Sequence, residues 1–501
     1  MKLQQFLDHH GVSRNPFAEE DAQTDPVFKE FCIASTYHPA WDKVYGDPNE
    51  PATSIVFGEK GSGKTAMRLQ ISRHIEEFNR KNTEKRLFLI HYDDFNPFLD
   101  RFRGALRMRS RRADKVLSEW KLWDHMDAIL NLGVTGLIDE ILQGKRSTTT
   151  MNEIAADKID LLDRHQARDL LLLAAFYDQS IAETFRGRWR KLCKRLRFST
   201  WRSKWQMAVG VLGTLAVIAM MAVLVYQGNS ASVAKIWYVF AGLFVGAWAP
   251  YAYLFGKRCL LARSVVKNVR VGNHETSAMR KTMMHFTSTD LEGQPIPNKE
   301  RTDDRYELLM KLQGILDTLG YTGIIVLVDR LDEPHLVNGS AELMKALLWP
   351  MLDNKFLKHP GLGIKLMLPI ELTRFIDREE RDFFQRARLD KQNMISSFEW
   401  TGEALFDVAN ARLLACSQEG RQPSLRDFFD DSITDQRLIE VLRALRVPRH
   451  LFKFLYRLVV AHCNAYTEDA PVWQIPTATL ESTLALQLRD QDAFDRGLGA
   501  G

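Results

Sequence analysis

The chain has 501 residues, more than a single hydrophobic core usually serves, so we expect at least two domains. Apolar residues make up 45% of it and charged residues 26%, which excludes a wholly disordered or collagen-like chain. The formal net charge of +5 does not by itself indicate nucleic-acid binding. The five cysteines are scattered without a CxxC pair, which excludes a zinc ribbon or a disulfide scaffold and fits a reducing compartment.

The first informative segment is a glycine-rich loop. It follows Thr53–Phe57, a β-branched and aromatic run that predicts a buried strand, and it precedes an amphipathic stretch at 66–75 that predicts a helix. The pattern G-x-x-x-x-G-K-T in this setting is typical of phosphate-binding loops, and the setting disfavours a chance match. Glycines let backbone N–H groups turn towards a phosphate, Lys64 reaches the β- and γ-phosphates, and the Thr65 hydroxyl is a ligand for Mg²⁺. The predicted nucleotide-binding residues are Gly58, Glu59, Lys60, Gly61, Ser62, Gly63, Lys64, Thr65 and Ala66.

A second predicted strand, Arg86–Tyr92, is followed by Asp93, Asp94 and Asn96. The carboxyl ends of strands are where ligands bind in open α/β sheets, although a solvated turn also explains these residues. The next stretch, 101–112, contains six arginines and no acid, which suits lipid headgroups, nucleic acid or simply a solvated helix face. From 113 to 183 the pattern predicts helices only.

Two apolar runs, 207–226 and 236–255, contain no Asp, Glu, Lys or Arg. Each is long enough, as a helix, to cross ~30 Å of hydrocarbon. Basic residues crowd both outer flanks, whereas the loop between the runs contains only Lys235, so the positive-inside rule places both flanks in the cytoplasm. The alternative is a pair of buried helices in a soluble core. The sequence predicts a multi-pass protein of the inner (cell) membrane, with both termini and the nucleotide-binding domain cytoplasmic.

A third predicted strand, 323–328, is continuously apolar and ends at Asp329. We expect Asp329 to hold Mg²⁺ together with Thr65. Asp332 and Glu333 follow closely and are the candidate catalytic carboxylates that orient or deprotonate the attacking water. Each of the two could equally begin the following loop or cap a helix.

A fourth predicted strand, 363–368, completes a βαβα alternation, which predicts an α/β fold with a doubly wound parallel sheet. Glu371 beyond it is either a sensor of the γ-phosphate or an ordinary N-terminal helix acid. Helices are expected again after residue 400, and Arg449 stands at the start of one. Arg449 is a candidate catalytic lid arginine, or else a surface arginine. Arg386 and Arg388 are candidates to act on a neighbouring subunit.

These patterns divide the chain into an N-terminal segment, a first core part, a helical insert, a basic collar with the membrane hairpin, a second core part, a helical lid and a tail. The expected boundaries are 1–50, 51–100, 101–185, 186–270, 271–400, 401–465 and 466–501.

A phosphate-binding loop and a metal-facing acid separated by an insertion with a membrane hairpin resemble the KAP P-loop NTPases, which belong to the STAND/AAA-like branch. The resemblance covers most of 55–462 in layout, but in motif only 58–65 and 324–332. It implies ATP and Mg²⁺ as cofactors, a cytoplasmic NTPase face and a helical lid. Bacterial members are often linked to phage exclusion, which makes antiviral defence one candidate setting. Arg330 stands where the family usually has a second acid, and Glu333 where it has arginine, so the identity of the catalytic base stays open.

Two functions remain open from the sequence. One is an ATPase that couples its nucleotide state to the hairpin or to a partner. The other is a nucleotide-stabilised membrane scaffold or effector with little hydrolysis, which Arg330 favours. The expected partners are the lipid bilayer and either a second copy of the chain or a partner protein. Nucleic acid is not indicated, because no helix-turn-helix or zinc site is visible, and the choice between ATP and GTP is also open.

Overall fold

The computed structural model describes residues 1–34, 36–106, 112–143, 156–180, 184–227 and 237–495. The chain has an α/β fold that is mostly helical and contains one five-stranded parallel sheet. The strands are β1 (Ser54–Gly58), β2 (Arg86–Tyr92), β3 (Tyr321–Val328), β4 (Leu362–Pro369) and β5 (Asn393–Ile395), and their order in the sheet is β2-β3-β4-β1-β5.

The described residues form helices that are numbered in chain order. They are α1 (Leu3–His9), α2 (Trp41–Tyr45), α3 (Lys64–Lys81), α4 (Asn96–Ala105), α5 (Ala113–Ser118), α6 (Leu122–Gln143), α7 (Ala156–Asp160), α8 (Arg164–Tyr177), α9 (Phe185–Arg195), α10 (Trp205–Tyr226), α11 (Trp237–Asn268), α12 (Thr276–Met283), α13 (Ser288–Leu291), α14 (Asp303–Thr318), α15 (Ala341–Leu348), α16 (Asn354–Leu357), α17 (Thr373–Ile376), α18 (Arg381–Ala387), α19 (Gly402–Ala415), α20 (Asp435–Ala444), α21 (Pro448–Ala465) and α22 (Thr477–Asp495).

The chain divides into two compact units. The first consists of Met1–Thr83, His91–Asp93 and Ile324–Gly501, and the second of Glu84–Ile90 and Asp94–Gly323. The second unit therefore lies, in sequence, between the glycine-rich loop and Asp329.

The strands form where the sequence is largely apolar. All five residues of β1 are buried, and so are all eight of β4, as expected of strands that are covered on both faces. Strand β1 pairs in parallel with β4 and with β5, and β3 pairs in parallel with β4. Because the strands are parallel, the segments that follow β1, β3 and β4 leave the sheet at the same edge.

Four of the five strands were predicted from the sequence, and one was missed. The bounds of β2 agree with the prediction, and those of β1, β3 and β4 differ from it by one or two residues at an end. Strand β5 has three half-buried residues, which is too short a run to stand out in the sequence. The segment 151–155, predicted as the start of a helix, lies outside the described residues, as do the loop 228–235 and residues 107–111 of the arginine-rich stretch.

The N-terminal segment and the C-terminal helices share a hydrophobic core within the first unit. Phe6, Leu7, Val12 and Phe17 are buried with apolar side chains of α19, α20 and α21. Helix α22, which includes the buried Leu480, packs on the same cluster, although the sequence predicted only a tail there. Residues 1–17 are therefore part of the folded core and not a separate extension.

Two helices of the second unit are long and apolar enough to cross a membrane: Trp201–Tyr226, which joins a 3₁₀ turn to α10, and α11. Only 6% of the most apolar stretch of the first and 11% of that of the second is buried, unlike the core helices of a soluble domain. They pack on each other, since Trp248 Nε1 donates a hydrogen bond to Thr214 Oγ1 at 2.9 Å. A Cβ added to Gly213 would lie 2.4 Å from the Cβ of Ala247, so the two helices approach each other closely at this point.

Candidate functional site

A cavity of about 420 Å³ in the first unit lies at the edge of the sheet where the strands end. Lys64 and Thr65, which follow β1, line it, as do Asp329 after β3 and Glu371 after β4. This is the edge at which open α/β sheets bind their ligands. Most of the site residues predicted from the sequence line this cavity.

The glycine-rich loop, Gly58–Thr65, has a backbone that only glycine adopts without strain. Gly61 and Gly63 have φ values of +90° and +95°. A Cβ on Gly61 would lie 2.5 Å from Cβ of Arg449, and a Cβ on Gly58 would lie 2.5 Å from Oγ of Ser62. Gly58 and Gly61 are therefore glycine for steric reasons, and the loop keeps its backbone close to its neighbours.

Lys64 begins helix α3 and turns its side chain back over the loop. Its Nζ donates hydrogen bonds to the carbonyl oxygens of Gly58 at 2.7 Å and Glu59 at 2.8 Å. Burial lowers the pKa of Lys64, and the carboxylates of Asp329, Asp332 and Glu371 oppose that shift. Lys64 thus places a positive charge among carboxylates, beside a curved backbone.

Ser62 contributes an unsatisfied polar atom to the same loop. Its side chain is completely buried, and its Oγ has no hydrogen-bond partner among the described residues. An orphaned buried hydroxyl is unusual in a folded protein, and an unfilled ligand position is one explanation for it.

Thr65 and Asp329 meet although 264 positions separate them in the sequence. Thr65 Oγ1 donates to Asp329 Oδ2 at 3.0 Å, and the backbone N–H of Arg330 donates to Oδ1 at 2.9 Å. Burial raises the pKa of Asp329, and the nearby Arg68 guanidinium is the strongest opposing influence. A hydroxyl beside a carboxylate is an oxygen donor set of the kind that Mg²⁺ prefers.

Arg68 is an unpredicted member of the site. Its Nε lies 3.1 Å from Asp329 Oδ2, and its Nη1 lies 2.6 Å from Asp93 Oδ2. The side chain of Arg68 is 4% exposed and that of Asp329 is 3% exposed. Asp93, which the sequence left between a ligand position and a solvated turn, is thus one of the two carboxylates held by Arg68.

Asp332, Glu333 and Arg330 also line the cavity. Arg330 Nη1 lies 3.4 Å from Glu333 Oε2, and Arg330 has a left-handed backbone with φ +60°. Partial burial raises the pKa of Glu333, Arg330 opposes the shift, and Asp332 and Asp329 add to it. Asp332 acts on the charge of Lys64, whereas Glu333 is paired with Arg330. Of the two predicted bases, Asp332 is the one whose charge opposes the lowering of the Lys64 pKa.

Arg449 lies against the glycine-rich loop. Its backbone N–H donates to Gly61 O at 3.3 Å, and its Nε lies 3.8 Å from Glu20 Oε2. Glu20 also lies 3.4 Å from Lys453 Nζ. The N-terminal segment thus supplies an acid that faces two cations of helix α21.

An aromatic wall forms another side of the cavity. The ring of His38 stacks on Phe398, with centroids 3.7 Å apart and planes inclined by 20°. Trp400 Nε1 donates to the carbonyl oxygen of Ser62 at 2.7 Å and so ties the wall to the loop. Burial lowers the pKa of His38 to about 4, although its Nε2 bonds the Glu399 carbonyl. His38 is therefore neutral at physiological pH.

Other predicted residues lie away from the cavity. Arg388 pairs with Asp390 at 3.5 Å, Arg386 lies over the ring of Phe383, and neither lines the cavity. In the second unit, Asp94 accepts a hydrogen bond from the backbone of Asn96 at 3.1 Å, which is the solvated turn that the sequence offered as the alternative.

Sequence reasoning missed Arg68, Glu20 and the aromatic wall. Arg68 could have been found, because it stands one helical turn after Thr65 and therefore points to the same side as the Thr65 hydroxyl. Glu20 and His38 carry no such signal, since only the fold brings the N-terminal segment to the loop.

Comparison with protein-family models, curated proteins and solved structures finds no match for this chain. In the part of the chain that the structure describes, no group of three or more His, Cys, Asp and Glu side chains is arranged to hold a metal ion.

Proposed function

We propose that the first unit binds a nucleoside triphosphate with Mg²⁺ in the cavity beside the glycine-rich loop, and that it hydrolyses the γ-phosphate bond. One observation carries the proposal: Thr65 and Asp329 lie 3.0 Å apart at the end of a glycine loop whose lysine turns back over it. Phosphate-binding loops of NTPases require this combination of groups. The pattern in the sequence alone would not bring the acid to the hydroxyl.

The residues of the loop suit a phosphate group. The left-handed glycines keep side chains away from the backbone, so its N–H groups can approach an anion. Helix α3 begins at Lys64, and the N-terminus of a helix adds partial positive charge. The ammonium of Lys64 now bonds two backbone carbonyls and would exchange them for phosphate oxygens.

The residues opposite the loop suit the metal and the reacting water. Thr65 and Asp329 would hold Mg²⁺, which supplies charge neutralisation to the phosphates when bound. Asp332 lies in the field of Lys64 and would orient the water or accept its proton. Arg449 would contact the γ-phosphate and so relate helix α21 to the state of the nucleotide.

The test is nucleotide binding and phosphate release by the purified full chain in detergent. Lys64→Ala is expected to weaken binding of a fluorescent ATP analogue by about tenfold or more, since a charge-assisted contact is lost. Lys81→Ala is the matched control, because Lys81 ends the same helix on an exposed turn. Equal binding by the Lys64→Ala variant and the wild type would refute the proposal.

Turnover separates the two candidate bases. We expect Asp332→Asn to abolish phosphate release while leaving nucleotide binding in place, and Glu333→Gln to retain part of it. Loss of turnover in Glu333→Gln alone would reverse the assignment. The same assay with GTP in place of ATP shows which nucleobase the site prefers.

A scaffold or effector with little hydrolysis is the second candidate. One observation favours it: Arg330 pairs with Glu333 at 3.4 Å, so one of the two carboxylates near the loop is already engaged. Tight nucleotide binding without phosphate release, together with nucleotide-dependent self-association in detergent, would support this function over the ATPase.

We also propose that the two apolar helices anchor the protein in the inner membrane, with the nucleotide site in the cytoplasm, as in the KAP P-loop NTPases that the layout resembles. The supporting observation is that apolar faces of both helices are exposed along their length. A Ser232→Cys variant, at a position outside the described residues, should react with an impermeant thiol reagent from outside the cell. The protein should also resist alkaline extraction of membranes, and release into the soluble fraction would contradict the anchor.

A further inference from the structure

The carboxylate that follows β3 already has a cationic partner supplied by the protein. Arg68 lies between Asp329 and Asp93, bonding one through Nε and the other through Nη1. Both Arg68 and Asp329 are almost completely buried, whereas the side chain of Asp93 is 26% exposed. Two carboxylates therefore share one guanidinium beside the cavity, and the trio carries one net negative charge instead of two.

The hydrogen bonds of Asp329 are largely used up inside the protein. Oδ2 accepts from Thr65 Oγ1 and from Arg68 Nε, and Oδ1 accepts from the backbone N–H of Arg330. A carboxylate offers about four acceptor positions, so three of them are taken. The orientation of Asp329 is thus set by three donors, two from helix α3 and one from the residue that follows Asp329.

We propose that Arg68 is a positioning residue that acts as the resident counter-ion of Asp329 and suppresses the binding of a bare divalent cation there. Asp329 then accepts the cation only when phosphate oxygens complete the ligand set, so the metal and the nucleotide bind together. The inference rests on the proposed function, because it takes Asp329 and Thr65 as the protein ligands of the metal.

A buried carboxylate is stable only when it is paired, and either a guanidinium or a metal ion can be the partner. Arg68 occupies that role and repels a second cation at short range. Among the described residues no group of three or more His, Cys, Asp and Glu side chains is arranged to hold a metal ion, so no cluster of carboxylates offsets that repulsion. Triphosphate oxygens bring the missing negative charge.

The test uses Mn²⁺ as the probe, in the absence of nucleotide, with the full-length chain in detergent. Binding is followed by the loss of the electron paramagnetic resonance signal of free Mn²⁺. The wild type is expected to bind Mn²⁺ weakly, and Arg68→Met, which keeps an apolar stem but removes the charge, at least about tenfold more tightly. The double variant Arg68→Met, Asp329→Asn should return to the wild-type affinity or below it.

A matched control removes another buried guanidinium. Arg270 pairs with Asp124 in the second unit and does not line the cavity, so Arg270→Met should not change the affinity for Mn²⁺. Arg68→Lys keeps the positive charge, so its affinity for Mn²⁺ should remain close to that of the wild type. It is also the variant to measure if Arg68→Met does not fold. In the wild type, a non-hydrolysable ATP analogue should raise the Mn²⁺ affinity by at least about tenfold.

Three results would overturn the inference: an unchanged Mn²⁺ affinity in folded Arg68→Met, an equal gain in Arg68→Lys, or tight Mn²⁺ binding by the wild type without nucleotide. These results differ from a failure of the proposed function, which is read from nucleotide binding by Lys64→Ala and involves no Mn²⁺ measurement without nucleotide.

Discussion

Buried arginine–aspartate pairs occur in both units, but they differ in how completely the protein closes them. In the second unit, Arg305 and Asp127 are both fully buried and joined by two hydrogen bonds of 3.0 Å. Tyr177 donates to the same carboxylate at 2.7 Å, and Arg305 also bonds three backbone carbonyls, those of Asn268, Lys299 and Arg301. In the first unit, Arg68 shares its charge between two carboxylates, and Asp329 faces a cavity.

The comparison shows what separates a structural ion pair from a site. A closed pair has every donor and acceptor satisfied inside the protein, so it can only specify packing. An open pair keeps acceptor positions and charge that a bound ligand can use. The following predictions test this distinction, beginning with the change that should disturb the protein most.

Breaking the closed pair should have the largest effect. We expect Arg305→Met to lower the free energy of unfolding by about 3–5 kcal/mol, because Asp127 would be left buried without its partner. Thermal unfolding in detergent, followed by circular dichroism, measures the loss. Adding Asp127→Asn should recover part of the stability. Nucleotide affinity of the folded fraction should not change, and a selective loss of affinity would mean that this pair is not merely structural.

Acid should destabilise the first unit through His38. Its pKa is about 4 in the folded protein and 6.5 when unfolded, so the unfolded state binds more protons between these values. The shifted pKa of His38 contributes about 3 kcal/mol to the free energy of unfolding, and this contribution is complete above pH 6.5. It is lost as the pH falls towards 4, and about 2 kcal/mol of it is gone by pH 5. His38→Gln should therefore show a smaller drop in thermal midpoint between pH 7.5 and 5.0. Equal drops in the two proteins would contradict the assignment.

A methyl group on the loop should disturb the site more than the fold. Gly61→Ala is expected to cost about 1–2 kcal/mol from the left-handed backbone, and its Cβ would also collide with Arg449. Nucleotide affinity should fall by about tenfold or more. Gly293→Ala is the control, because Gly293 has a φ of +69° with open space around it. Similar affinities in the two variants would argue against a ligand at the loop.

The smallest effect should come from releasing the loop from its aromatic wall. Trp400→Phe removes the hydrogen bond to Ser62 O and should cost about 1 kcal/mol. It should also weaken nucleotide binding measurably. Trp349→Phe, which loses a hydrogen bond to Glu379 elsewhere in the first unit, should cost as much stability without changing the affinity. If both variants bind nucleotide equally well, the wall does not support the site.

Much of the fold could be predicted from the sequence, because strands and long apolar helices depend on residues that are close together along the chain. Strands β1, β3 and β4 are largely apolar runs, which is typical of strands covered on both faces. The two apolar helices are visible from length and composition alone. Strand β5 and helix α22 were missed because their sequences carry no strong period or apolar run, and they are ordered by the surfaces they pack on.

The candidate site could be predicted only where a residue stands inside a motif. The glycine-rich loop and Asp329 follow strands, so their edge of the sheet was foreseeable. The participation of Glu20, His38 and Trp400 was not, because these residues come from segments that are remote in the sequence and meet only when the N-terminal segment and α21 close around the loop.

The sequence by itself determined which residues could form an apolar strand, a glycine turn or a membrane-length helix, because backbone conformation and burial depend on side chains close along the chain. Only the tertiary structure decided that Thr65 and Asp329 lie 3.0 Å apart and that Arg68 joins Asp329 to Asp93. Charge pairing acts through space across hundreds of positions, and no local pattern encodes which partner a buried carboxylate will find.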